Sequence, residues 1–185
     1  MVEPSQLQTG SAEEDHLVTN AQRDLRQFAE LYQRYVQPVY RYLYSRIGSE
    51  DGAEEATAQT FLSALESFGH YHHKGYFAAW LFAIARRKSA DHHRRASRIA
   101  DLADSLPSAD EDLLQQAVRR DQLDTLRQIL ANLPEADQEL LRLRFAASLS
   151  FAEMARLLNR SEDAVKKSLY RLLQRVQDEM EDSHD

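Results

Sequence analysis

The chain has 185 residues, a net charge of −7 and no cysteine, so disulfides and thiolate metal sites are excluded. Its length allows one domain or two small ones. Few glycines and prolines among many helix-forming residues favour an all-α fold. No apolar run reaches membrane-span length, and the start Met-Val-Glu-Pro-Ser-Gln lacks the basic and apolar regions of a secretion signal. The expectation is a soluble cytoplasmic protein. The acid is unevenly placed. Residues 1–20 carry −4, 96–133 carry −3 and 179–185 carry −4, whereas 21–95 carry +3 and 134–178 carry +1. Two mildly basic blocks joined by an acidic connector fit two DNA-facing modules better than the net charge does.

Residues 1–20 are polar and aperiodic, which predicts a disordered N-terminal tail. From about Asp24, the positions Phe28, Leu31, Tyr32, Tyr35 and Val36 keep helical spacing. Pro38 is expected to open a second helix, carrying Val39, Tyr40, Leu43, Tyr44 and Ile47 and closed by Gly48. Ser49 can cap a third helix. Its core side is predicted to hold Ala56, Phe61, Leu62, Leu65 and Phe68, and its outer side Glu54, Glu55 and Gln59. The stretch Gly69–Gly75 reads as a loop, and a strong helix follows over about Tyr76–Arg95. Phe77, Trp80, Leu81, Ile84 and Ala85 form its inner side; Trp80 reads as core rather than as a stacking platform. Its second half is strongly basic. Beside an aromatic-rich loop such a run suits single-stranded DNA, although it is also what a solvated face looks like.

Residues 96–112 are acidic and poor in large apolar side chains, and are read as a flexible linker. Periodicity returns with Leu113, Val118, Leu123, Leu126, Ile129 and Leu130. Leu133-Pro134 marks a break, and the next helix has Leu140, Leu141, Leu143 and Phe145 for its core. Ser150 and Glu153 then spell a capping box, Asn159 sits where the chain must turn, and Ser161 can cap a last helix. In that helix Val165, Leu169, Leu172 and Val176 face inward, and Lys166, Lys167, Tyr170, Arg171 and Arg175 take the other faces. A short capped helix, a turn and a helix with a basic outer face is the helix-turn-helix pattern. By itself the segment also fits an ordinary helical hairpin or a stand-alone DNA-binding regulator. Glu179–Asp185 reads as an acidic tail.

Three segments in this order resemble the extracytoplasmic function (ECF) group of sigma-70-family RNA polymerase sigma factors. Ala53–Leu62 is similar to the region 2 helix that binds polymerase, Phe77–Arg95 to the helix that melts and reads the −10 element, and Leu133–Arg175 to region 4, which reads the −35 element. The resemblance implies region 2 over residues 21–95 and region 4 over 113–178. It implies core RNA polymerase as partner, through the beta-prime clamp and the beta flap, and promoter DNA both duplex and single-stranded. It implies no covalent chemistry and no cofactor, and members are commonly held by an anti-sigma factor. The polymerase face would be Glu54, Glu55 and Gln59. The −10 set would be Arg86, Arg87, Lys88, His92, Arg94 and Arg95, and the −35 set Lys166, Lys167, Ser168, Tyr170, Arg171 and Arg175. Ser168 stands where the group commonly has arginine, Arg87 where many members have asparagine, and Asn159 where glycine is common. His70, His72, His73, His92 and His93 invite a metal site, but no thiol accompanies them and neighbouring helical residues diverge, so no metal is expected.

Overall fold

A computed structural model describes residues 6–72, 75–100 and 117–183, with side chains described for 14–72, 75–95 and 124–183. Eight α-helices are described: α1 Gln6–Arg23, α2 Phe28–Ile47, α3 Glu50–Ser67, α4 Phe77–Ala100, α5 Ala117–Asn132, α6 Glu135–Leu141, α7 Phe151–Leu158 and α8 Glu162–Asp182. No strand occurs among the described residues. The linker expected over 96–112 is helical to Ala100 and otherwise lies outside the described residues, as do Leu113 and the side chains of Val118 and Leu123.

The helices α2, α3 and α4 pack around an aromatic core, with α1 against α2. Phe28 meets Phe68 edge-on at 5.1 Å, Tyr35 meets Phe77 at 5.5 Å and Tyr42 meets Phe82 at 5.4 Å. Such pairs add about 0.5–1.5 kcal/mol each to the area they bury. The second bundle is built by α5 to α8, with Leu140, Leu143, Leu149, Met154, Val165, Leu169 and Leu172 inside. The two bundles meet where α2 packs on the stretch after α6 and α4 packs on α7.

Several expectations are corrected. The tail predicted as disordered is helical from Gln6, and α1 buries Val18 and Ala21. Its polar sequence hides this because the helix is held by tertiary bonds. Glu14, 6% exposed, accepts from Tyr35 Oη and, at 3.2 Å, from the Phe77 backbone N–H at the start of α4. Gln22 Nε2 donates to the Tyr71 carbonyl at 2.8 Å. Pro38 opens no new helix; α2 runs through it. The missing N–H costs one helical bond, and the buried row Leu31, Tyr35, Val39, Tyr42 and Leu43 carries the helix across. On α3 the small residues Ala53, Ala56, Thr57, Thr60 and Ala64 with Phe61 form the inner face, which leaves Leu62 and Leu65 at 56% and 39% exposure. Ser49 occupies the N-cap of α3 but its side chain makes no capping bond. Phe145 is exposed rather than core, because Arg142–Ala146 winds as a π-helix that shifts the register by one residue. Trp80 is partly buried, in tilted ring contact with Phe68, Tyr71 and Phe77. Of the acidic tail, Glu179–Asp182 continues α8, and residues 184–185 lie outside the described residues.

Candidate nucleic-acid interface

The helix-turn-helix forms as its caps dictate. Ser150 accepts from the Glu153 backbone N–H at 3.2 Å while the Glu153 carboxylate accepts from the Ser150 N–H at 2.6 Å, which closes the capping box of α7. Asn159 ends α7 in the left-handed conformation, φ 53° and ψ 48°, where asparagine replaces glycine at small cost. The Arg160 N–H returns to the Ala155 carbonyl at 2.9 Å. Ser161 then caps α8, accepting from the Ala164 N–H at 3.2 Å. Val165, Leu169 and Leu172 are at most 2% exposed and fix how α8 is rotated. Burying each contributes about 1.5–3 kcal/mol.

That rotation turns the −35 candidates outward, but their charge is not equally available. Lys166 pairs with Glu162 at 2.8 Å and leans on the Phe151 ring; the hydrogen bond to Glu162 holds its ammonium above the usual lysine pKa. Arg175 is tied to Asp137 at 2.5 Å. Lys167 and Arg171 are exposed, with the Arg171 guanidinium folded back on the Lys167 carbonyl at 3.2 Å. Tyr170 is 62% exposed beside Phe151. At Ser168 the structure supplies what the sequence lacks. Arg160 reaches from the turn, and its Nη2 donates to Ser168 Oγ at 2.7 Å. A guanidinium therefore lies over the position where the group commonly carries arginine. The two residues are eight apart across a turn, a spacing that no helical periodicity would single out.

The −10 candidates on α4 separate into three directions. Lys88, His92 and Arg95 face α3 and line a cleft of about 230 Å³ with Glu55, Gln59 and Asp91. Arg95 lies 3.8 Å from Glu55. The expected polymerase and −10 faces therefore touch at this cleft. Arg87 and Arg94 are exposed, Arg94 paired with Asp91. Arg86 points the third way, toward the second bundle, where its Nε lies 3.5 Å from Glu139. Glu54 is exposed on α3. A second cleft, of about 420 Å³, opens between the aromatic loop and α7; Tyr76 and Trp80 lie on one side and Arg156 and Leu157 on the other.

Sequence reasoning passed over Tyr42, Arg46 and Glu139. Glu139 is 4% exposed. Tyr42 Oη donates to it at 2.8 Å and Arg46 Nη1 donates to its other oxygen. Burial, then the Glu139 charge, pushes the Tyr42 phenol well above its usual pKa, which keeps it a donor. Burial works against the Arg46 charge, but Tyr42 and Glu139 more than offset it, so Arg46 stays above the ordinary arginine value. These partners are more than ninety residues apart. Among the described residues no group of three or more His, Cys, Asp or Glu is placed to hold a metal ion; His73 lies outside them. No described helix is long and apolar enough to cross a membrane.

The described residues thus form two helical bundles, with exposed basic side chains on α4 of the first and on α8 of the second. Residues 31–99 match the family described as Sigma-70 region 2, and residues 123–176 match Sigma-70, region 4. The chain is a sigma factor of the sigma-70 family. The ECF RNA polymerase sigma factor BldN of Streptomyces coelicolor is 35% identical over 153 residues, which cover 78% of this chain and 56% of BldN. SigD of Mycobacterium tuberculosis, also an ECF sigma factor, is 33% identical over 151 residues, 77% of this chain and 71% of SigD. Within its family, the chain belongs to the ECF group. The fold is shared with CnrH, solved with the cytosolic domain of CnrY, at a TM-score of 0.62 and 21% identity over 87% of this chain and 92% of that one. The sigma factor RpoE of Bartonella quintana, solved with the anti-sigma factor NepR, gives a TM-score of 0.60 at 18% identity over 84% and 98%.

Proposed function

We propose that this sigma factor binds core RNA polymerase, docks α3 on the beta-prime clamp and region 4 on the beta flap, and directs initiation at promoters carrying −10 and −35 elements. The observation that carries the reading is the pairing, in one chain, of region 2 and region 4, with exposed cations on α4 in the first and on α8 in the second. The exposed leucines of α3 support the docking face. Leu62 lies on the stripe of Glu55 and Gln59, and Leu65 on the stripe of Glu54 three turns further along, so the helix offers an acidic and apolar surface to a protein partner. On α8, Lys167, Tyr170 and Arg171 serve the −35 bases and phosphates, with Ser168 overlain by Arg160. On α4, Arg87, Arg94 and the Lys88–His92–Arg95 side serve the unpaired −10 strand.

An anti-sigma factor is a further partner under this reading, since the solved relatives CnrH and RpoE are each held by another protein. A stand-alone regulator is the less favoured reading. Lys166 and Arg175 spend their charge inside region 4, so α8 is poorly equipped to hold duplex DNA unaided. Transcription with reconstituted core enzyme, free of any inhibitor, tests the proposal. Promoter-dependent transcripts are expected, together with weak gel shifts by the protein alone. Tight duplex binding without polymerase, and no transcript with it, would reverse the two readings.

A further inference from the structure

Arg160 stands in the turn between α7 and α8, and its backbone and side chain are used differently. Asn159 turns the chain in the left-handed conformation, and the Arg160 N–H then closes α7 on the Ala155 carbonyl at 2.9 Å. Ser161 caps α8 straight after it. The Arg160 side chain takes no part in either helix end. It runs along the first two turns of α8, where Nη2 donates to Ser168 Oγ at 2.7 Å and to the Ala164 carbonyl at 3.3 Å. Ala164 and Ser168 are four residues apart and so lie on one stripe of the helix. Glu162, the acid nearest in sequence, is bonded to Lys166 instead. Among the described residues no carboxylate pairs with Arg160, and its Nε and Nη1 make no hydrogen bond. The residue is exposed.

We propose that Arg160 is a specificity-determining residue that reads a guanine of the −35 element from the turn, with Ser168 positioning it. The inference rests on the reading of region 4 as the −35 domain. In a helix-turn-helix the N-terminal part of the second helix meets the base edges. Ser168 is the seventh residue of α8, so its bond holds the guanidinium beside the part of the helix that enters the groove. The chemistry then selects the base. A guanidinium carries only donors, and the Ser168 hydroxyl, which accepts from Arg160, keeps its own proton to give. In the major groove guanine alone offers two acceptors side by side, O6 and N7. Adenine and cytosine each present an amino donor there, and thymine a methyl group. A pair that offers only donors fits guanine and meets an opposing donor or an unfilled contact elsewhere. Ser168 also holds the arm in place before DNA arrives, so less side-chain freedom is lost on binding. The neighbours Lys167 and Arg171 add positive charge, whereas Lys166 is engaged by Glu162.

The test gives holoenzyme a library of duplexes randomised across the −10 and −35 segments and sequences the bound fraction. Native holoenzyme should enrich guanine at one −35 position or more. Arg160→Ala should lower that preference at a single position by at least about fivefold, the lower end for a good contact to a base edge, and leave the other positions as they were. Ser168→Ala should weaken the same position, and the double variant should lose little more than Arg160→Ala, because the two side chains act as one unit. Circular dichroism checks the fold, and Ser168→Ala, a change that suits a helix, carries the test should Arg160→Ala not fold. Preferences unchanged in both variants would overturn the proposal. A loss spread evenly over all sequences, with the salt slope lowered by about one, would make Arg160 a phosphate contact and overturn the base reading. Native base preferences that include no −35 guanine would overturn the proposal alone. A native holoenzyme that enriches no −35 sequence at all would instead fault the reading of region 4 beneath it, and that result appears before any variant is made.

Discussion

Replacing Gly52 by alanine sets two effects against each other. Gly52 is the third residue of α3, and its φ does not require glycine. Helix propensity alone predicts that alanine stabilises by up to about 1 kcal/mol, less near the helix end. The surroundings predict the opposite. A Cβ there would lie 2.7 Å from His92 Nε2, 2.7 Å from Ser49 Oγ and 2.8 Å from Ile47 Cγ2. The His92 and Ser49 atoms sit at the ends of rotatable side chains, but Ile47 is β-branched and stiff. Overpacking of this kind costs about 1–3 kcal/mol, so Gly52→Ala should destabilise by about 1 kcal/mol net. For a domain of this size that lowers Tm by roughly 4–8 °C. Calorimetry on Gly52→Ala, His92→Ala and the double variant isolates the cause, because part of the penalty should vanish once the ring is gone. A raised Tm in Gly52→Ala, or a penalty of equal size with and without His92, would refute the steric account.

Three further outcomes are expected. Burial raises the Glu14 carboxyl above its ordinary 4.5, against the opposing Tyr35 hydrogen bond and with the Glu153 charge adding to the rise. A carboxyl raised on folding stabilises fully below its unfolded pKa and loses that contribution as pH rises through the folded one. The unfolding free energy of the native protein minus that of Glu14→Gln should therefore fall as pH is raised from about 4.5, and urea titrations showing it growing would contradict the assignment. Arg171→Ala should cost about 1–3 kcal/mol in −35 recognition if the guanidinium reads a base; competition among variant −35 duplexes by the holoenzyme measures it, and an unaltered preference removes Arg171 from the reading set. Glu54→Lys with Glu55→Lys should weaken binding to core polymerase while circular dichroism stays native, and retained affinity would move the docking face off α3.

Local grammar made much of this fold legible. The capping box at Ser150, the left-handed turn at Asn159 and the inner row of α8 each depend on residues a few positions apart, and each forms as the spacing predicts. What escaped depends on distant partners. Helix α1 reads as a polar tail because its reasons for folding, Tyr35 and the Phe77 N–H, lie in other elements. Leu62 and Leu65 read as core because leucine usually is, yet α3 turns the face of Ala53, Ala56, Thr57, Thr60, Phe61 and Ala64 inward, which leaves the two leucines on its outer side. Phe145 was displaced by a π turn, which leaves no periodic trace. At the interface, the sequence identified the basic faces of α4 and α8 but not which of their cations are free. Lys166, Arg175 and Arg86 lose their freedom to Glu162, Asp137 and Glu139, and two of those three acids lie outside the cation's own helix.

The energetics of Glu139 set what its contact contributes to the packing of the two bundles. A buried ion pair gains Coulomb energy and loses hydration on both sides, and the net against an apolar replacement is often near zero. Removing one partner is a different perturbation, because it leaves the other charge buried and alone, at about 3–5 kcal/mol. The contact is therefore specific in geometry yet modest in free energy, whereas an apolar seam would be held by about 25 cal/mol for each Å² it buried.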